Sequence, residues 1–286
     1  DIKDDLLRGI YSYGFEKPSD IQKQAIKAMI SEKDIIAQAQ SGTGKTGAFA
    51  ISILQLIDVA INDFQALIMA PTRELAIQIH NVFKNIGVQM KGLKTNLLIG
   101  GTSTEHDIKA LQEQTPHLIV GCPGRIHDMI RRKQINTKTI KIIVLDEADE
   151  MLSSGFKEQV YNIFQYLKSN VQVGLFSATM PHELGNLTDK FMRDPIRILI
   201  RNENLTLEGI NQYYIGLDDD GNKYETLKDI YGSISVNQCI IYCNSLRRVS
   251  DLYEAMNQDG YPVCCIHSGM DKLERTENYD EFKKGK

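Results

Sequence analysis

The chain has little that would tie it to a disulfide, zinc or membrane architecture. Its five cysteines, at 122, 239, 243, 264 and 265, form no CxxC pair and no metal-ligand spacing. An odd, unframed set fits a reducing compartment, so a cytoplasmic or nuclear location is expected. Four of the five fall in apolar runs of the C-terminal part, where they read as small buried apolar residues. The six histidines are scattered and suggest no metal site. No run approaches the ~20 apolar residues of a membrane span. No basic, apolar leader opens the chain either, so neither a secretory signal nor a membrane partner is expected. Low-complexity segments and repeats of solenoid period are absent. Basic charge is not in excess: 33 basic and 37 acidic residues leave a net charge of −4. A nucleic-acid-binding role therefore requires the basic residues to be gathered on one face.

What remains is ordinary globular composition, with 42% hydrophobic and 24% charged residues over 286 positions, enough for a substantial core and more than one domain. Strand-length apolar runs occur at Asp34–Ala39, Ala66–Ala70, Thr95–Ile99, Leu118–Gly121, Lys141–Leu145, Val173–Ser177 and Arg197–Ile200. Amphipathic helical stretches lie between them, notably Thr72–Ile86, Gly155–Leu167 and Glu183–Phe191. Alternating strands and helices, with continuously apolar strands, predict a mostly parallel sheet covered on both faces.

Near Arg201 to Gly209 the pattern relaxes, and residues 201–209 read as a linker between a first domain, 1–200, and a second, 210–286. The second repeats the alternation: strands Asn211–Leu217, Cys239–Cys243 and Val263–His267, with helices Lys223–Tyr231, Leu246–Met256 and Lys272–Phe282. The run Asp218-Asp219-Asp220-Gly221 lacks the ligand spacing of a calcium loop and reads as a solvated turn.

Two runs carry the chemistry. Ala39-Gln40-Ser41-Gly42-Thr43-Gly44-Lys45-Thr46 follows the first strand and leads into a helix. It matches a phosphate loop except that Ala39 stands where the strict pattern has glycine. Small residues at Ser41, Gly42, Thr43 and Gly44 let backbone N–H groups turn inward around phosphate oxygens, and the helix start adds partial positive charge. Lys45 would reach the β- and γ-phosphates, and Thr46 would ligate Mg²⁺. Asp146-Glu147-Ala148-Asp149 ends the fifth strand, which puts two adjacent carboxylates at its carboxyl end. The Mg²⁺ and the attacking water should lie at that end, beside Asp146 and Glu147. A hydrophobic strand closed by paired carboxylates is the usual companion of a phosphate loop. Together the runs predict hydrolysis of a nucleoside triphosphate.

Asp146-Glu147-Ala148-Asp149 also resembles the signature of the DEAD-box RNA helicases, and the family's other motifs follow in order over essentially the whole chain. Phe15-Glu16-Lys17-Pro18-Ser19-Asp20-Ile21-Gln22 resembles the adenine-reading Q motif, which implies ATP as the nucleotide and Phe15, Lys17 and Gln22 beside its base. Pro71-Thr72-Arg73-Glu74-Leu75-Ala76, the Gly100-Gly101 pair and Cys122-Pro123-Gly124-Arg125 resemble RNA-facing motifs. The resemblance thus implies RNA contacts from Pro71, Arg73, Gly100, Gly101, Pro123, Gly124 and Arg125, with Asn244 and Arg247 as weaker candidates. Glycines admit a close backbone and arginine gives a forked phosphate contact, so binding would ignore base sequence. Ser177-Ala178-Thr179 matches the coupling motif, which implies a link from Ser177 and Thr179 to Asp149. Arg193-Asp194-Pro195-Ile196-Arg197-Ile198 and Leu205-Thr206-Leu207-Glu208-Gly209-Ile210 resemble the linker of the translation initiation factor 4A subfamily.

The resemblance implies an α/β fold of two RecA-like P-loop domains with mostly parallel sheets, the second incomplete within these residues. It implies an ATP- and Mg²⁺-dependent helicase on single-stranded and short duplex RNA, working as a monomer with protein regulators or a scaffold. An alternative is an ATP-dependent RNA clamp that anchors a complex with little turnover. Translation, splicing-linked and ribosome-biogenesis roles all fit. Several positions depart from the pattern. Cys122 replaces a threonine that would contact phosphate, His267-Ser268-Gly269 replaces His-Gly-Asp, and Lys272 stands where glutamine is usual. An aromatic residue usual before the Q motif would precede Asp1. The family's later arginines, which reach the γ-phosphate, do not occur by Lys286. A further half-domain is therefore expected in the natural protein, with slow turnover by the present residues alone.

Overall fold

A computed structural model describes residues 2–40, 42–153, 155–199, 211–235 and 237–285, apart from the Lys272 side chain. Ser41, the expected linker over 201–209 and the motif at 205–210 lie outside the described residues. The chain divides into two compact units, Asp1–Ile210 and Asn211–Lys286.

The first unit runs α1 (Asp4–Ser12), α2 (Asp20–Ile30), β1 (Ile35–Gln38), α3 (Lys45–Leu56), β2 (Ala66–Met69) and α4 (Arg73–Ile86). It continues with β3 (Thr95–Leu98), α5 (Thr104–Glu113), β4 (Leu118–Gly121), α6 (Pro123–Arg131), β5 (Ile142–Leu145) and α7 (Ala148–Ser153). Last come α8 (Lys157–Tyr166), β6 (Gln172–Ser177), α9 (His182–Phe191) and β7 (Ile196–Leu199). Every expected strand of this unit forms, with its ends within a residue or so of the apolar run.

The seven strands make one sheet in the order β3-β4-β2-β5-β6-β1-β7, and every pair is parallel. Because successive strand residues point to opposite faces, each strand feeds two cores. Ile35, Ala37, Ile68, Val144 and Phe176 pack with α1 to α4 through Leu6, Ile21, Phe49 and Phe83. Ile36, Leu67, Ile143, Leu145 and Leu175 pack with α5 to α9 through Leu111, Met129, Ile163 and Leu187. Burial on both faces explains the continuously apolar strands and bears out the α/β expectation.

Asp34 stands just before β1 with its side chain 1% exposed. Its carboxylate accepts the backbone N–H groups of Val173 at 2.8 Å and Arg193 at 2.6 Å. It thereby fastens the feet of β6 and β7 to that of β1.

The second unit differs from expectation. Its helices form as α10 (Lys223–Ser233), α11 (Leu246–Gln258) and α12 (Lys272–Lys283). Residues 211–217, 239–243 and 263–267 form no strand among the described residues. Tyr213, Tyr214 and Tyr242 are 89%, 95% and 89% exposed, while Met256 is buried at 2%. An apolar segment becomes a strand only where a sheet face needs covering and neighbours supply the ladder. The cysteines there change accordingly: Cys239 and Cys264 are exposed and Cys243 and Cys265 half-buried, not core residues. The acidic run closes in a 3₁₀ turn, where Asp219 accepts the N–H of Gly221 at 3.1 Å.

Candidate nucleotide and nucleic-acid site

The described candidate residues of the first unit, apart from those before β1, lie at or just past the carboxyl ends of its strands. The register explains this. Gln38 pairs with Ser177, Leu145 with Leu175, and Met69 with both Gly121 and Leu145. The strands therefore end together along one edge. Backbone bonds extend that edge by one residue, from Ala39 N to Ser177 O at 3.0 Å, Asp146 N to Met69 O at 3.0 Å and Cys122 N to Leu98 O at 2.9 Å.

After β1 the loop turns through Gly42 and Gly44, at φ +85° and +93°, conformations that L side chains disfavour. A Cβ at Gly44 would come within 2.7 Å of Gln22 Nε2 and 3.2 Å of Ser19 Oγ. Lys45 is buried and donates from Nζ to Ala39 O at 2.7 Å, across the loop it follows. Thr43 Oγ1 donates to Gln40 O at 2.8 Å, and Thr46 is half-buried in the first turn of α3.

The start of α2 clasps this loop from outside. Ser19 and Gln22 form a reciprocal capping box. Ser19 Oγ also donates to Thr43 O at 3.0 Å, and Gln22 Nε2 donates to Gly44 O at 3.2 Å. Phe15 is half-buried, and a Cβ at Gly47 would lie 2.9 Å from its ring. Gln22 thus meets the phosphate loop itself and Phe15 the first turn of α3 that follows it, while Lys17 is exposed. Ser19 was legible as the first residue of an S-x-x-Q capping box yet was not among the expected site residues.

Asp146 is 3% exposed. Burial pushes its carboxyl up to about 6, against the opposing pull of nearby Lys45, with Glu147 adding to the rise. A buried acid with one lysine beside it still lacks positive charge. The donor set of Thr46 hydroxyl and Asp146 carboxylate, beside a loop that turns through two left-handed glycines, fits a Mg²⁺-bound nucleotide. Glu147 follows at φ +51°, and its N–H donates to Asp146 Oδ1 at 3.0 Å.

Between β5 and β6, Asp149 bonds directly to Thr179, and Ser177 joins through Thr179. Asp149 Oδ2 accepts Thr179 N at 2.9 Å and Thr179 Oγ1 at 2.7 Å, and Ser177 Oγ donates to Thr179 O at 2.6 Å. Partial burial raises the Asp149 carboxyl, but the Thr179 hydrogen bonds outweigh it and hold the group below its usual range.

The other half of the edge, past β2, β4 and β3, holds the expected RNA set. Pro71 is buried and Arg73 exposed at the start of α4. A Cβ on Gly100 would lie 3.4 Å from Arg73 Nη2, and Gly101 sits at φ +85°. Cys122 precedes α6 without a side-chain cap, and Pro123 takes the first helical position. Burial pushes the Cys122 thiol up to about 11, against the pull of Arg73, so it is a neutral thiol where a hydroxyl was usual. A would-be Cβ on Gly124 would lie 4.0 Å from the edge of the Phe156 ring.

Arg125 does not face outward as expected. It is paired with Asp107, their side chains 10% and 7% exposed, and Nη2 donates to Thr102 O at 2.9 Å. Asp107 and Thr102 were not expected here, because nothing local in the sequence links positions so far apart. Asn244 and Arg247 are exposed in the second unit, and so are Ser268 and Gly269.

Residues 19–187 match the model of the DEAD/DEAH box helicase family, and residues 222–286 match the helicase conserved C-terminal domain. Among solved structures, the chain is similar to S. cerevisiae Dbp5 bound to RNA and ADP BeF3, a Dbp5 variant. That likeness has 30% identity over 99% of this chain and 72% of that one, at a TM-score of 0.86. A Dbp5 complex from the same yeast with Nup159, a Gle1 variant, IP6 and ADP is 30% identical over 100% and 74%, at 0.70. A DEAD box protein from the hyperthermophile Methanococcus jannaschii is 33% identical over 99% and 76%, at 0.68.

Proposed function

Since the chain belongs to the DEAD/DEAH box helicase family, whose model covers residues 19–187, we propose that it couples RNA-stimulated ATP hydrolysis to local unwinding of RNA. One observation carries the reading: the strand order sorts the motifs. Candidates for ATP follow β5 and β1, the coupling pair Ser177 and Thr179 stands at the end of β6 between them, and candidates for RNA follow β3, β4 and β2, which adjoin. The Asp149–Thr179 link lies on the ATP side next to the RNA side, where a coupling element belongs.

In this reading the loop N–H groups and Lys45 bind the phosphates. A Mg²⁺ ion held by Thr46 and Asp146 would neutralise charge on them. Glu147 orients the attacking water and takes its proton. Phe15, Lys17 and Gln22 attend the adenine side, where Gln22 also grips the loop that must move. Arg73, Gly100, Gly101 and Gly124 meet the sugar–phosphate backbone, so affinity is independent of base sequence. Asn244 adds a contact from the second domain, 210–286. Closure of the two RecA-like domains about the 201–209 linker separates the strands, and loss of the γ-phosphate releases them.

The finer assignment is to the translation initiation factor 4A subfamily, on the motif from Arg193 to Ile198. The Dbp5 neighbours, one solved with Nup159 and a Gle1 variant, support control of such a monomeric enzyme by protein partners. A cytoplasmic or nuclear setting goes with it.

The test is ATP hydrolysis with and without single-stranded RNA, for the protein and its Glu147→Gln variant. RNA should stimulate turnover, and Glu147→Gln should lower it about 10²- to 10⁴-fold while ATP still binds. Tight ATP-dependent RNA binding without stimulated turnover would replace the helicase with a stationary clamp. Absence of RNA binding would remove both.

A further inference from the structure

Arg125 looks like a phosphate ligand by its motif, but its surroundings say otherwise. Nη1 bonds to Asp107 Oδ2 and lies 3.2 Å from Thr102 Oγ1, and Nη2 donates to Thr102 O at 2.9 Å. The Thr102 hydroxyl is itself 2.9 Å from Ile99 O and 3.2 Å from Asp107 Oδ2, and it donates to one of them. Asp107 belongs to α5, Arg125 to α6, and Ile99 to Thr102 form the loop after β3. The cluster therefore spans the base of the loop that carries Gly100 and Gly101. That loop needs holding: Gly101 is left-handed at φ +85°, and Gly100 lies against the Arg73 guanidinium.

We infer that Asp107, with Thr102 and Arg125, is a positioning brace that sets the Gly100–Gly101 loop for RNA, and that Arg125 is part of this brace and not itself a phosphate ligand. The inference rests on the RNA-binding reading above. For Arg125 to reach a phosphate, the buried Asp107 carboxylate would lose its guanidinium partner and keep only the Thr102 hydroxyl at 3.2 Å and the His106 imidazole, whose Nδ1 is 4.0 Å from Oδ1. That loss exceeds what one charge-assisted bond to a solvent-facing phosphate returns. A guanidinium that meets a carboxylate through Nη1 and a backbone carbonyl through Nη2 fixes orientation as well as charge.

Asp107→Asn separates the alternatives by sign. If Arg125 is a ligand held in reserve, the substitution frees it and RNA affinity holds or rises. If Arg125 is a brace, affinity for single-stranded RNA falls, by about tenfold. The loss should show as a raised KM for RNA in the ATPase assay, with kcat at saturating RNA retained. Salt titration gives a second readout. Removing a phosphate-binding cation lowers the slope of log K against log salt by about 0.7 on single strands. Arg125→Gln should leave the slope unchanged while affinity drops. The double variant Asp107→Asn, Arg125→Gln leaves no stranded charge and guards against simple unfolding. Coupled groups predict that it binds RNA no worse than either single variant. A slope reduced by Arg125→Gln, or undiminished affinity in Asp107→Asn, overturns the brace alone. Wild-type protein that binds no RNA overturns the functional reading, and the brace falls with it.

Discussion

Glu147 is one of four non-glycine residues with positive φ among the described residues, at +51°. Such strain persists where surrounding bonds over-determine it, and here Asp146 Oδ1 holds the Glu147 N–H. The residue expected to handle the attacking water is thus aimed by its backbone. His80 shows a different single-residue effect. Its Nε2 lies 2.9 Å from Thr95 Oγ1, and burial, helped by Lys84, pushes its imidazole down to about 4. An unfolded histidine takes its proton near 6.5. Between those values the unfolded chain holds more protons than the folded one. The stabilising contribution is therefore complete above about pH 6.5 and drains away as pH falls towards 4. The side chain is only half-buried, so screening trims the effect to on the order of 1–2 kcal/mol. Urea melts at pH 7.5 and pH 4.5 should show a smaller acid loss for His80→Gln than for the wild type. Equal losses would move the cause to other groups.

At the scale of elements, the start of α2 is the most informative joint. Ser19 accepts the Gln22 N–H at 3.4 Å and donates to Thr43 O at 3.0 Å, so one hydroxyl caps a helix and steadies the phosphate loop. Ser19→Ala should cost about 1 kcal/mol of stability and weaken ATP by about fivefold. Melting with isothermal calorimetry checks both, and unchanged ATP affinity would reduce Ser19 to a plain cap. Gly47→Ala should do more to ATP than to stability, because its Cβ would press Gln22 Nε2 at 2.8 Å and the Phe15 ring at 2.9 Å. Both neighbours are side chains that can move aside, but only by leaving the position expected beside the base. A Gly47→Ala protein with wild-type ATP affinity would remove Phe15 and Gln22 from base recognition.

These elements also mark how far the sequence could be read. The seven strands and the phosphate loop were legible because burial on both faces writes a continuous apolar run, and a loop for phosphate must be small at fixed positions. Arg125 was legible as a residue but not in its role. Asp107 lies on another helix, and a pairing between helices leaves no periodic trace. The segments at 211–217, 239–243 and 263–267 misled for a related reason. Apolar, β-branched composition states a preference, whereas a ladder depends on neighbours that no local window reveals.

At the scale of the whole molecule, the family membership and the parallel sheet give the first unit a RecA-like fold with a core on each side of its sheet. The second unit, taken by itself, has no counterpart to those cores: Met256 is its buried apolar residue among those described, and Tyr213, Tyr214 and Tyr242 are open to water. Protection from hydrogen exchange follows buried, bonded backbone. Amides of β1, β2, β5 and β6 should therefore exchange only on global unfolding of the first unit. Amides in 211–217, 239–243 and 263–267 should exchange orders of magnitude faster, with intermediate protection in α10, α11 and α12. Mass-spectrometric exchange on the intact chain reads both units at once. Slow exchange in those three segments would mean that they do pair in solution, and that the second unit has a sheet of its own. Added ATP and single-stranded RNA supply the functional arm. If the second unit contributes Asn244 to RNA, its exchange slows only when both ligands are present. Slowing confined to the phosphate loop and the edge past β2, β4 and β3 would leave RNA binding to the first unit alone.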